Sequence, residues 1–293
     1  MLTKGSLLGT SMKEGMPNET EAIITRHTIK GKGSEYEHLS PEGVDKAKER
    51  AKDFVQIIEK SAPGTVIFFG GSSYEQRTGS TLEVYADEVK KQVKYSPDVL
   101  FFDEEQIAEQ AKVGHLASVQ KIQESADKNP TAKVVIDFPL VLRDFEDREW
   151  LYDKEGTPKK EWMDMLDRYG KDYSSAIREW FSNQGVFDGK QVVPSPSTMA
   201  KSYLNGIKRL EDFVKKFSGE RKVKIVVVGH SFHIDALLTY LANNGNVDLA
   251  GFEKIGNNVV DTTEMSTIEP DEEGNLKVSY RGNEFIFKQD KVA

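Results

Sequence analysis

Short apolar runs alternate along this chain with segments of helical periodicity, and no other feature restricts its fold as much. Four runs stand out: EAIIT (21–25), GTVIFFGG (64–71), VLFF (99–102) and KVKIVVVG (222–229). Each is closed by glycine or a polar residue, the pattern of strands buried on both faces. The first is followed by LSPEGVDKAKERAKDFVQIIEK, where Ser40 suits an N-cap, Pro41 the first helical position and Glu42 the positive end of the helix dipole. Val44, Ala47, Ala51, Phe54, Val55 and Ile58 then recur at helical spacing. YEQRTGSTLEVYADEVKKQ reads as a helix despite Gly79, and SPSTMAKSYLNGIKRLEDFVKKF as a long amphipathic one. SFHIDALLTYLANNG is a helix ended by Asn and Gly. The alternation predicts an α/β fold of three layers, a mainly parallel sheet with helices on both faces.

Two regions depart from that rhythm. The tail, MSTIEPDEEGNLKVSYRGNEFIF, offers two or three strands with a turn at Glu273-Gly274-Asn275. Residues 105–195 are charged and aromatic, with helical stretches and one isolated strand candidate, KVVIDF. They read as a largely helical cap inserted into a single domain spanning 21–293, with Trp150, Trp162 and Trp180 forming the core of the insertion itself. Residues 1–20 lack periodicity and read as a flexible lead-in.

Composition narrows the partners. The chain of 293 residues carries 40 basic and 48 acidic side chains, a formal net charge of -8. That balance disfavours a nucleic-acid or anionic-membrane surface, which needs concentrated Lys and Arg, but is compatible with one small anion site. The absence of cysteine removes disulfides, thiolate metal sites and cysteine nucleophiles. With no apolar segment of signal-peptide or membrane-spanning character, a cytoplasmic location is expected.

In open α/β sheets ligands bind beyond the carboxyl ends of the strands. Arg26 and His27 follow the first run, Arg77 opens the helix after the second, Asp103, Glu104 and Glu105 follow the third, and His230 ends the fourth. Any one of these has an ordinary structural reading; their coincidence at one sheet edge points to chemistry. Two guanidiniums can hold a phosphate by forked hydrogen bonds. A neutral imidazole can attack phosphorus, a second can donate to its oxygens, and a carboxylic acid can protonate the leaving alkoxide. Such a set performs phosphoryl transfer through a phosphohistidine without a metal or other cofactor.

The order RHT, LSPEG, SSYEQRTGST and VVVGHSFHIDALLTYL resembles the histidine phosphatase superfamily, which includes cofactor-dependent phosphoglycerate mutases and many phosphatases. Leu39, Ser40 and Gly43 match its helix opening, Ser73, Arg77 and Thr81 its second-strand motif, and Gly229 and His230 its last, over roughly residues 21–105 and 196–288. The resemblance implies a phosphoglycerate-mutase-like architecture, with His27 the nucleophile, Arg26, Arg77 and His230 holding the phosphate, and an acid just after the third strand. That acid is Glu104, with Asp103 and Glu105 as alternatives. In the branch of the family whose acid directly follows the second histidine, a carboxylate would stand where this chain has Ser231.

This sequence also departs from the family pattern. Thr28 stands where glycine is usual, Tyr74 and Glu75 where Pro-Leu is usual, and the asparagine that mutases carry after the Arg-His pair is not evident. A phosphomonoester hydrolase is therefore expected, acting on a small molecule or a phosphoprotein. A mutase and a non-catalytic phospho-ligand binder are the alternatives. His230 and His233 have the spacing of a metal pair only if both are helical, and no metal is expected there. His38 is expected to face solvent and His115 to be structural.

Overall fold

The structure, a computed structural model, describes residues 20–73, 75–103, 107, 115–145, 157, 159–170, 172–187, 189–191 and 193–289. Eight strands form one sheet: β1 (Thr20–Arg26), β2 (Val66–Ser72), β3 (Val99–Phe102), β4 (Lys133–Val141), β7 (Val223–Gly229), β8 (Met265–Pro270), β9 (Leu276–Tyr280) and β10 (Asn283–Phe287). Their order is β10-β9-β8-β1-β7-β2-β4-β3. The pairings from β1 through β7, β2 and β4 to β3 are parallel, and β8, β9 and β10 extend the sheet beyond β1 in antiparallel fashion. Two short strands, β5 (Val186–Phe187) and β6 (Lys190–Gln191), pair only with each other.

The period-2 alternation of the strands creates the layers. Ile23 of β1 and Val226 and Val228 of β7 belong to one apolar cluster, shared with α1 (Pro41–Lys60) and α2 (Gln76–Val93). Their neighbours Ala22, Ile24, Ile225 and Val227 face a second cluster on the opposite side. There the sheet is covered chiefly by α3 (His115–Lys128), α5 (Tyr173–Asn183), α6 (Pro196–Ser218) and α7 (Ser231–Ala242). The remaining helices among the described residues are α4 (Lys160–Arg168) and α8 (Leu249–Lys254), with one 3-10 turn at Arg143–Phe145. This is the expected three-layer α/β fold. No helix among the described residues is long and apolar enough to cross a membrane.

Two local readings change. KVVIDF is the heart of β4, which lies between β2 and β3 and pairs parallel with both. Its six residues show no sheet membership by themselves, because strand partners are chosen by non-local pairing. Trp180 does not build a separate core either. It is 1% exposed, its ring centroid lies 5.7 Å from Phe232 of α7, and its indole nitrogen donates to the Pro194 carbonyl at 2.8 Å. The large rings of α5 are thus part of the main core. Trp150 and the Trp162 side chain lie outside what the structure describes.

Candidate phosphate site

Parallel pairing brings the ends of β1, β7 and β2 to one edge. Arg26 is the register partner of Gly229, and the His27 amide donates to the Gly229 carbonyl at 3.0 Å. His27 and His230 therefore leave adjacent strands side by side, with ring centroids 5.0 Å apart and the planes inclined at 64°. Ser72 of β2 pairs with Val228, which puts Ser73 at the same level.

The backbone fixes the tautomer of His27. Its Nδ1 lies 2.6 Å from the Thr28 carbonyl oxygen, which can only accept, so Nδ1 carries the proton and Nε2 keeps the lone pair. Burial, then the Arg77 charge, push the imidazole pKa down to about 3, partly opposed by the Thr28 contact. The ring is neutral at ordinary pH, which suits a nucleophile.

Thr28 does not crowd that ring. Its hydroxyl donates to the Gly43 carbonyl at 2.7 Å, and its amide donates to Thr81 Oγ1 at 3.2 Å. The threonine thus ties the end of β1 to the start of α1, fully buried. Gly43 is required at that contact, because a Cβ there would run into the Ile29 carbonyl oxygen.

His230 is held from two sides. Nη2 of Arg77 lies 3.4 Å from its Nδ1, and its Nε2 lies 2.8 Å from Ser73 Oγ. Guanidinium only donates, so Nδ1 accepts and the proton of the neutral ring sits on Nε2, which donates to Ser73 Oγ. Ser73 Oγ in turn lies 3.1 Å from Thr78 Oγ1, which donates to the Glu75 carbonyl at 2.7 Å. Burial first, then the neighbouring His27 and Arg77, push His230 well below the usual histidine range.

The two arginines face this pair with donors to spare. Arg26 donates from Nη1 to the Val260 carbonyl at 2.6 Å, yet its Nε is buried without a partner. Arg77 likewise has a buried, unpartnered Nε, and its Nη1 lies 3.8 Å from Glu75 Oε2. Glu75 thus does not point away from the site but acts as a counterweight on one arm of Arg77. Leaving buried guanidinium N–H groups unpaired is costly, and an oxyanion between the two would satisfy them.

The acids divide. Glu104 and Glu105 lie outside the described residues. Asp103 accepts from Lys90 Nζ at 2.6 Å at the end of β3, three strands from β7, a separation of roughly 14 Å at normal strand spacing. A carboxyl that sequence reasoning did not single out stands much closer. Asp235 of α7 is fully buried, accepts the Val260 amide at 2.9 Å and acts electrostatically on Arg26; burial raises its pKa well above the usual carboxyl range. In the sequence Ser73 is a motif residue without an assigned partner, and its place directly after β2 is the signal for its role against His230. Nothing in the sequence signals Val260, which reaches Arg26 from 234 residues away.

His233, one turn into α7, lies behind His230 with a centroid separation of 5.9 Å and both ring nitrogens unpartnered. Among the described residues, no three His, Asp or Glu side chains group as metal ligands. His38 adopts φ 64° and is partly exposed at the rim, while Tyr74 lies outside the described residues, as does the side chain of His115.

No protein-family model and no curated protein matches this chain. Solved structures do. YhfR of Bacillus stearothermophilus is 12% identical, with a TM-score of 0.45 over 90% of this chain and 97% of its own. A mycobacterial glucosyl-3-phosphoglycerate phosphatase is 12% identical, with a TM-score of 0.43 over 91% and 97%. A phosphoglycerate mutase from Bacillus anthracis is 13% identical, with a TM-score of 0.40 over 93% of each chain. Likeness at this level does not bear on chemistry, which rests on the residues themselves.

Proposed function

We propose that this protein hydrolyses a phosphomonoester through a phosphohistidine formed at His27. The observation that carries the reading is the state of that ring: neutral, with Nδ1–H committed to the Thr28 carbonyl and the Nε2 lone pair free, beside two guanidiniums with unpartnered N–H groups. Arg26 and Arg77 bind the equatorial oxygens and neutralise their charge. His230, already opposite Arg77, closes the third side.

In the first step the Nε2 lone pair forms the N–P bond as the ester P–O bond breaks, and the departing alkoxide takes a proton from a carboxylic acid. Glu104 is the proposed donor. In the second step water attacks phosphorus and gives a proton to the same carboxylate. The N–P bond breaks, its electron pair returns to Nε2, and inorganic phosphate leaves.

The test is turnover of an aryl phosphate by the parent protein and by His27→Ala, with samples quenched in alkaline detergent and probed for phosphohistidine by its loss on acid treatment. The variant is expected to lose on the order of 10³-fold or more in kcat and to trap no phosphoryl group. Parent-like turnover by His27→Ala would remove the nucleophile from the scheme.

A further inference from the structure

Beside the histidine pair runs a cleft of about 550 Å³ whose lining includes Lys30, Lys32, Glu37, His38, Glu75 and Arg77. Arg77 is the shared wall: it reaches His230 on one side and lines the cleft on the other. The segment that forms the cleft's other side is stapled to itself. Gly31 N–H donates to the His38 carbonyl at 3.1 Å, Ser34 Oγ donates to the carbonyls of Tyr36 and Leu39 at 2.7 and 2.8 Å, and Lys30 bridges to Leu39. Tyr36 anchors it from below, its hydroxyl donating to Asp87 at 2.8 Å. A loop with this many internal bonds presents its side chains from a fixed frame rather than a fluctuating one.

The charges in the cleft do not cancel. Glu75 is drawn to Arg77, and the Glu37 side chain is 85% exposed with its carboxylate 3.6 Å from His38 Nε2. Lys30 and Lys32 have no carboxylate partner among the described residues. Two ammoniums without a carboxylate partner thus line the cleft from a stapled loop, one wall away from the candidate phosphate site, in a protein of net charge -8. Lys30 is near enough to act electrostatically on His27.

We propose that this cleft takes the body of the substrate and that Lys30 and Lys32 bind a second oxyanion on it, a carboxylate or another phosphate. The substrate class is thus a phosphomonoester with a further negative group, in preference to a neutral alkyl or aryl ester. The inference rests on the reading of the His27 centre as the phosphoryl site, and its test does not depend on turnover.

Non-hydrolysable phosphonates serve as probes, with binding to the full chain measured by calorimetry. Alkylphosphonates with three to five carbons are compared with the ω-carboxylated compounds of equal length. At one length or more, the carboxylated probe is expected to bind the parent roughly tenfold tighter, and this ratio should collapse to within about twofold in Lys30→Met/Lys32→Met. Equal affinities at every length in the parent would overturn the proposal. So would a preference that survives in the double variant. Failure of the catalytic reading would look different: no ester turnover, with the binding ratio and its loss on substitution intact.

Discussion

At the scale of single residues, Thr28 shows how a β-branched side chain beside the candidate phosphate site can be accommodated. A β-branched side chain beside a phosphate site would ordinarily narrow it. Here the hydroxyl turns to the Gly43 carbonyl, and it is the backbone carbonyl of Thr28 that meets the His27 ring. Thr28→Val keeps the shape and removes one buried hydrogen bond. It should cost about 1 kcal/mol of stability, a fall of roughly 2 °C in Tm, while KM for an aryl phosphate stays within about twofold. A large loss of affinity instead would mean that the hydroxyl serves the ligand. Arg26 makes the complementary point: its identity was legible as a strand-end cation, but its anchoring by Val260 was not.

At the scale of elements, the start of α1 joins capping to the site. Ser40 Oγ accepts the Gly43 amide at 3.0 Å and Pro41 occupies the first turn, as the sequence predicts. Gly43 then packs on Ile29, leaving no space for a side chain. Gly43→Ala should destabilise the fold by about 1–3 kcal/mol in urea unfolding, and by displacing Thr28 should also lower kcat on an aryl phosphate. An unchanged denaturation midpoint would show that α1 can slide without cost.

Signals of this kind were readable because they are local: a cap, a proline, a glycine and an apolar run lie within a few residues of each other. The ends of β1, β2 and β7 were placed for the same reason. What stayed hidden was pairing across distance. KVVIDF looks like an isolated strand until β2 and β3 accept it, and nothing local to Asp103 signals its pairing with Lys90. Trp180, expected in an insertion's own core, packs instead against α7.

At the scale of the whole molecule, burying three imidazoles at one sheet edge couples the site to acid stability. His233 is the clearest case, because burial alone holds its pKa down, at about 4. The unfolded chain takes up this proton near pH 6.5 and the native chain does not until about pH 4. The unfolded state therefore binds more protons in that window, and stability is full above pH 6.5 and lost as the pH falls towards 4. Asp235 and Glu211, raised by burial, act in the opposite sense, so the imidazole is best isolated by difference. His233→Leu should match or exceed the parent at pH 7 and gain up to about 3 kcal/mol on it by pH 4 in denaturant unfolding. A constant gap across that range would show that His233 is not held neutral.

The pairing of β1 with β7, and of Arg26 with Val260, has a consequence for biosynthesis. Arg26 and His27 leave the ribosome well before the strand beside them, some 200 residues downstream, and before β8, which covers the other edge of β1 and is later still. Until then the first strand has no flanking partner and the two guanidiniums have no common focus. Anion binding at the proposed site would therefore require β1, β7 and β8 together, and a chain truncated before β8 would carry the arginine and histidine without the pocket.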